Sequence, residues 1–294
     1  MQVHLLDATY ELFRAHFAPR PQRLDAAGNA ASATIGLIEN ALYLLREEGV
    51  THLGCASDHV IESWRNRRWP GYKTSFGVAP ELLRQFGPAE EALTALGVVV
   101  WPLVEWEADD GLGTAAAKFA DAPGVERVVI MTPDKDMAQC VREDGKVVQF
   151  DRRQRKLLDA NAVREKFGVS PESIPDFLAL VGDSADGYPG LPGWGKVSAG
   201  AVLTRYVHLE DIPDKVTHWD VHVRGAAALA VSLREHREEA LLFRELATLV
   251  LDVPLVSQTL DEMRWRGAHR APFEALAESL DAPDLVGRVP KWVD

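Results

Sequence analysis

A chain of 294 residues is long enough for one large domain or two modest ones, and 47% hydrophobic with 26% charged residues describes an ordinary globular protein. Two cysteines, Cys55 and Cys140, exclude a disulfide framework, and no apolar run approaches the ~20 residues that span a bilayer. The opening Met1-Gln2-Val3-His4 has no basic region ahead of a long apolar stretch, so neither a signal peptide nor a membrane partner is expected, and the expected location is the cytoplasm.

The net charge of −12 argues at first sight against a nucleic-acid partner. Yet many acids gather in short motifs, and basic residues cluster between Arg65 and Lys73. Global charge sets long-range steering while local patches set contacts, so weak and salt-sensitive non-specific binding is the expectation.

Strand and helix signals alternate over the first ~150 residues, the pattern of a parallel α/β sheet. Strand-like runs are predicted at 3–6, 51–56, 98–104 and 125–131, with a short edge strand at 147–150. Helical spacing falls at 31–48, 80–96 and 109–120. From about Ala160 helices joined by Gly/Pro turns take over, at 171–181, 197–206, 225–235 and 238–250, and the last forty residues are expected to wrap the surface. The expected division is an α/β core over 1–160 and a helical region over 161–294.

Each predicted strand end delivers a carboxylate. Asp7 ends the first run, Asp58 follows the second, Glu107, Asp109 and Asp110 follow the third, and Asp134 and Asp136 follow the fourth. Ligands of open parallel sheets bind just beyond the carboxyl ends of the strands, so these acids are expected to converge. Any one of them alone serves equally well as a helix cap or first-turn acid, and Asp109 and Asp110 suit that role. Acids at four successive strand ends favour a metal site. Carboxylates ~4 Å apart repel by several kcal/mol at an effective dielectric of 20, so cations or protons must fill such a site. All-oxygen ligands suit Mg²⁺ or Mn²⁺. Two such ions serve in-line attack on a phosphodiester.

Two further segments stand out. Gly182-Asp183-Ser184-Ala185-Asp186-Gly187-Tyr188-Pro189-Gly190-Leu191-Pro192-Gly193-Trp194-Gly195-Lys196 is punctuated by glycine and proline between two helices. It reads as a phosphate-approaching loop with two metal-reaching aspartates, or as a tight connector with capping aspartates. Trp64-Arg65-Asn66-Arg67-Arg68-Trp69-Pro70-Gly71-Tyr72-Lys73 interleaves cations and aromatics. Arg65, Arg67, Arg68 and Tyr72 there suit a single-strand contact surface, and Lys73 suits charge developing on a scissile phosphate; the alternative is a solvated loop with its aromatics in the core.

Together these residues resemble the 5′ nuclease (flap endonuclease) superfamily, most of all the 5′–3′ exonuclease domain of bacterial DNA polymerase I and its free-standing relatives. The resemblance rests on Glu107-Ala108-Asp109-Asp110, Asp134-Lys135-Asp136-Met137-Ala138-Gln139, the glycine-rich stretch and the closing Leu246-Ala247-Thr248-Leu249-Val250-Leu251-Asp252-Val253-Pro254-Leu255. It implies a mostly parallel central sheet flanked by helices (PIN-like, Rossmann-like), a helical arch over about 63–96 and a helix–three-turn–helix over about 173–206. It implies that Asp7, Asp58, Glu107, Asp109 and Asp110 hold a first metal and that Asp134, Asp136, Asp183 and Asp186 hold a second. It also implies that Lys73 acts at the scissile phosphate and that Arg14, where the family has an arginine after the first strand, is catalytic. Gly190, Gly193, Gly195 and Lys196 would grip duplex backbone beside a K⁺ ion.

The implied protein is a monomer cutting branched or nicked DNA with a free 5′ end, in replication or repair, with a separate DNA polymerase as partner because no polymerase domain follows. Three departures stand out: Phe76 replaces an arch arginine, for which Arg67 and Arg68 are the candidate substitutes, Pro133 replaces a glycine, and Lys196-Val197 replaces an acidic-then-basic pair. The competing expectations are a metal-dependent ribonuclease of the PIN type and a non-catalytic branched-DNA-binding protein.

Overall fold

A computed structural model describes residues 1–257 and 259–293; Asp294, the last residue of the expected helical region, lies outside the described residues, as does Gln258. In chain order the elements are β1 (Gln2–Asp7), α1 (Ala8–His16), α2 (Ser32–Arg46), β2 (Leu53–Asp58), α3 (Trp64–Arg68), α4 (Pro80–Leu83), α5 (Phe86–Ala95), β3 (Val99–Leu103), α6 (Ala108–Phe119) and β4 (Arg127–Met131). A 3₁₀ turn (Asp136–Cys140) leads to β5 (Val147–Asp151) and β6 (Lys156–Leu158). Then come α7 (Ala160–Phe167), α8 (Ile174–Val181), α9 (Lys196–Tyr206), α10 (Ala226–Glu235), α11 (Arg237–Ala247), α12 (Leu260–Met263) and α13 (Arg270–Ser279).

These elements form two compact units, Met1–Ile61 with Ser75–Thr132 and Leu251–Asp294, and Glu62–Thr74 with Pro133–Val250. In the first unit four parallel strands lie in the order β3-β2-β1-β4. Strands buried on both faces read as continuous apolar runs, as Val128-Val129-Ile130-Met131 does. Side chains from α2 (Ile35, Leu37, Ile38, Leu42) and from the sheet (Leu5, Leu6, Trp101, Ile130) make up its core. All four strands share one direction, so their C-terminal ends lie along one edge.

Two expectations shift here. The segment after β1 carried no predicted helix, yet Asp7 accepts from Tyr10 N at 2.8 Å and caps α1 immediately after the strand. Residues 86–95, read from sequence as part of the arch, form a helix that buries Ala92 and Leu93 completely against its own unit.

The second unit packs α8, α9, α11 and the 3₁₀ turn around Phe177, Leu178, Tyr188, Phe243 and Leu246. β5 and β6 pair antiparallel beside them. Between α8 and α9 the chain reverses tightly. Gly182 (φ +80°) and Gly190 (φ +70°) lie back to back, so a Cβ on Gly190 would stand 2.3 Å from Gly182 N. Only glycine permits both the left-handed backbone and that approach.

Candidate metal centre and the lysine-bearing segment

Within the second unit Asp136, Asp183 and Asp186 each offer a carboxylate oxygen within 4.8 Å of the others, the one such group of three or more acidic, His or Cys side chains among the described residues. Sequence alone separates Asp136 from Asp183 by the whole of β5, β6, α7 and α8. The 3₁₀ turn brings up Asp136, and the Asp183–Tyr188 reversal brings up the other two. That reversal is closed by paired main-chain bonds, Asp183 N to Tyr188 O at 2.8 Å and Tyr188 N to Asp183 O at 3.0 Å. Asp183 Oδ1 accepts from Ala185 N at 2.9 Å, which leaves Oδ2 for a cation. Asp134 stands beside the group: its Oδ1 accepts from Asp136 N at 3.2 Å, and Gln149 Nε2 donates to its carbonyl.

The electrostatics are those of an anionic pocket in need of counter-charge. Burial first, then the charges of Asp134, Asp186 and Asp183, push the Asp136 carboxyl well above the usual range. Asp136 Oδ1 is buried and has no hydrogen-bond partner among the described residues. Two lysines supply part of the balance: Lys135 Nζ lies 2.5 Å from Asp183 Oδ2, and Lys73 Nζ lies 3.0 Å from Asp186 Oδ1. Burial opposes the charge on Lys135, but the hydrogen bond to Asp183 and the surrounding aspartates outweigh it and raise its pKa. Crowded, oxygen-only and partly unpartnered, these carboxylates fit hard divalent cations.

The first unit carries its own acids along the strand-end edge. Asp7 Oδ2 accepts from Thr132 Oγ1 at 2.8 Å, and Asp58 Oδ1 accepts from Ala108 N at 2.7 Å. Asp110 Oδ2 accepts from Glu107 N at 3.1 Å, completing a reciprocal cap of α6. Asp7, Glu107 and Asp110 are buried, and Asp109 occupies the same first turn of α6. No three of Asp7, Asp58, Glu107, Asp109 and Asp110 come within 4.8 Å of one another. Arg14 turns back onto its own helix, Nε donating to Glu11 Oε2 at 3.0 Å.

The basic, aromatic segment differs from its sequence reading. Arg65 is 2% exposed; its Nε donates to Leu246 O at 2.8 Å and its Nη2 to Thr248 O at 3.2 Å. Tyr72 is buried in the core of the second unit. Neither residue lines a DNA-facing surface, because a guanidinium satisfied by helix-terminal carbonyls is more stable inside than a bare helix end. Arg67 is exposed, and Arg68 is exposed in a two-bond pair with Glu245 (2.8 and 2.6 Å). Gly190 is buried by its packing on Gly182, whereas Gly193, Gly195 and Lys196 are exposed at the start of α9. Phe76 is 94% exposed.

Three residues escaped the sequence reading. Lys135 sits inside the Asp134–Asp136 motif, where its position was the available signal. Gln149 carried no signal. Tyr188 stacks on Phe243 (5.5 Å between centroids), and its hydroxyl is buried without a partner among the described residues. Burial and the charges of Asp136, Asp186 and Asp183 raise its pKa.

With this geometry in place, comparison with known proteins is decisive. Residues 2–168 match the 5′–3′ exonuclease N-terminal resolvase-like domain, and residues 169–271 match the 5′–3′ exonuclease C-terminal SAM fold. The chain belongs to the 5′–3′ exonuclease family. Membership makes it a nuclease.

DNA polymerase I of Mycobacterium leprae is 35% identical to this family member over 281 residues, which cover 94% of this chain and 30% of that protein. DNA polymerase I of Pseudomonas aeruginosa is 35% identical over 260 residues, covering 85% of this chain and 27% of that protein. The chain thus spans less than a third of the length of the curated relatives it matches. Among solved structures, the bacteriophage T5 D15 flap endonuclease in a complex with DNA and metal ions matches with a TM-score of 0.65 at 16% identity, over 96% of this chain and 100% of that one. That likeness shows the shared fold. No helix among the described residues is long and apolar enough to cross a membrane.

Proposed function

We propose that this 5′–3′ exonuclease is a structure-specific 5′ nuclease that hydrolyses DNA at nicks and 5′ flaps with two Mg²⁺ ions, in replication or repair. The observation that carries the reading is the Asp136, Asp183 and Asp186 cluster with Lys73 held against Asp186. Asp134, Asp136, Asp183 and Asp186 would hold one ion, and Asp7, Asp58, Glu107, Asp109 and Asp110 the other. When bound, the ions supply charge stabilisation for in-line attack of water and for departure of the 3′ oxygen. Water adds to phosphorus, the P–O3′ bond breaks, and the products are a 5′-phosphate and a 3′-hydroxyl.

The chain's own residues do the rest. Lys73 exchanges its contact with Asp186 for the scissile phosphate as negative charge grows there. Arg14, which follows the first strand, is the second catalytic residue in this reading. Lys196, with Gly193 and Gly195 at the exposed start of α9, binds duplex phosphates without reading bases, the turn holding K⁺. Arg67 and Arg68 contact the 5′ strand. The T5 relative solved with DNA and metal ions supports both ligand classes. The reading further implies a cytoplasmic monomer that works alongside a DNA polymerase.

The test is a 5′-labelled flap, a nicked duplex and a single strand, each incubated with Mg²⁺ or Mn²⁺. Cleavage at the branch point, lost in Asp183→Ala while flap binding persists, is the expected result. Full activity in Asp183→Ala overturns the metal assignment. Binding of the flap with no cleavage by the wild-type chain favours the non-catalytic alternative.

A further inference from the structure

Lys73 is carried by a segment, Glu62–Thr74, that belongs to the second unit although it is far from the rest of that unit in sequence. Such a segment contributes no strand and only the five-residue α3, so something other than secondary structure must fix it. The structure shows three fastenings. Arg65 plugs the C-terminal end of α11 through Leu246 O and Thr248 O. Trp69 Nε1 donates to Gly187 O at 3.1 Å while its ring meets Phe243 edge-on at 5.3 Å. Asn66 closes the segment on itself: its Oδ1 accepts from Ser63 N at 2.8 Å, and its Nδ2 donates to Lys73 O at 2.9 Å.

We propose that Asn66 and Arg65 are positioning residues that set Lys73 beside the acidic cluster before DNA binds. Asn66 holds the carbonyl of Lys73, and Asp186 O accepts from Lys73 N at 2.9 Å, so both main-chain groups of the lysine are engaged. The amide orientation of Asn66 is fixed by its two partners, since reversing it would set donor against donor at Ser63 and acceptor against acceptor at Lys73. Arg65 anchors the other end on a rigid helix, and its burial at 2% exposure makes the anchor a permanent part of the core. Gly71 and Gly187 let the two main chains touch: a Cβ on Gly187 would stand 2.1 Å from Gly71 O. A backbone so braced, with its ammonium already against Asp186, leaves less conformational freedom to be lost at the moment of reaction, which is where positioning contributes to rate.

The inference rests on the proposed role of Lys73 and is tested separately from it. Asn66→Asp keeps the acceptor for Ser63 N and replaces the donor to Lys73 O with a repelling carboxylate. Single-turnover flap cleavage should fall about 10- to 100-fold, with flap affinity measured in Ca²⁺ unchanged. In a Lys73→Ala background the same substitution should add no further loss, a result that a general packing defect would not give. Hydrogen exchange on the DNA-free protein should find the Lys73 amide protected in the wild type and exposed in Asn66→Asp. Arg65→Lys, which cannot reach both carbonyls, should lower the turnover rate in the same way with little change in KM.

Wild-type turnover in Asn66→Asp, equal slowing of the Lys73→Ala variant, or an unprotected Lys73 amide in the free protein overturns the inference. A wild-type chain that leaves the flap intact overturns the functional reading itself.

Discussion

Lys73 and Asp186 meet twice, side chain to side chain at 3.0 Å and main chain to main chain at 2.9 Å. The doubled contact fixes both where the ammonium points and where its backbone lies. Lys73→Ala should therefore separate catalysis from stability. Single-turnover cleavage should slow by at least about 10²-fold, the scale of losing one aligned electrostatic contact. The partly exposed ion pair contributes only about 0–1 kcal/mol to folding, so thermal unfolding should barely move. Cleavage at the wild-type rate would remove Lys73 from the reaction.

Asp136 should show opposite effects with and without metal. In metal-free buffer Asp136→Asn should raise the thermal midpoint by about 2 °C, because a buried carboxyl crowded by Asp134, Asp183 and Asp186 becomes a neutral amide. If the proposed site binds Mg²⁺, a hundredfold excess over its dissociation constant should stabilise the wild type by about 2.7 kcal/mol. The variant should lose most of that gain along with flap cleavage. Calorimetric unfolding at several Mg²⁺ concentrations reads both effects, and equal metal-dependent shifts in the two proteins would refute the site.

Glycine at 187 is required by geometry. Its φ is +85°, and an added Cβ would come within 2.1 Å of Gly71 O, which leaves no room for a side chain. Gly187→Ala should destabilise the protein by about 1–3 kcal/mol and slow flap cleavage as the Lys73-bearing segment moves off its seat. Urea unfolding and single-turnover assays measure the two effects. An unaltered midpoint together with an unaltered rate would show that the contact gives way without consequence.

A second charged cluster predicts a pH profile unrelated to catalysis. Asp176, buried in α8, accepts from His208 Nδ1 and Arg244 Nη1, and Arg244 also pairs with Glu210. The hydrogen bond that His208 donates to Asp176 raises the His208 pKa despite partial desolvation. A group raised on folding stabilises fully below its unfolded value of about 6.5 and ceases to do so as pH rises through the folded value. Glu210 is pulled down to about 2, chiefly by its hydrogen bonds from Arg244. Its contribution is present above about 4.5 and is lost as pH falls toward 2. Thermal midpoints should therefore drift down above neutrality in the wild type and not in His208→Gln. Glu210→Gln should flatten the acid limb. Arg244→Ala, which takes one charged donor from the buried Asp176 carboxylate, should cost about 1.5–3 kcal/mol. Identical pH profiles in all three proteins would show that the cluster does not contribute to stability.

The duplex contact proposed at α9 makes a salt-dependence prediction. Lys196→Ala should weaken binding of nicked duplex alike across sequences and reduce the log–log salt slope by about 1. An unchanged slope would place the duplex elsewhere.

Local chemistry and periodicity were sufficient to read much of this protein. The strands 3–6, 98–104 and 125–131 and the helices at 197–206 and 225–235 lie within a few residues of their observed bounds, because buried parallel strands and amphipathic helices write themselves into short windows. Asp136, Asp183 and Asp186 lie together as the family resemblance implied, Asp136 just beyond a strand end and the other two in the glycine-rich turn. The reading failed where a residue's partner is remote. Arg65 looked like a phosphate contact because its neighbours are basic and aromatic, yet its partner Leu246 is 181 positions away. Tyr72 and Gly190 were assigned to a DNA surface and are instead buried packing residues.

Sequence by itself determined the family, the acidic inventory and the order of the parallel strands along the chain, since each depends on residue type and short-range spacing. Tertiary structure alone decided which cation answers which acid, that Lys135 joins Asp183, and that Asn66 braces Lys73. The physical reason is that a charge or donor declares only what it needs. Which group satisfies it is settled by long-range packing, where burial makes an unanswered polar atom too costly to keep.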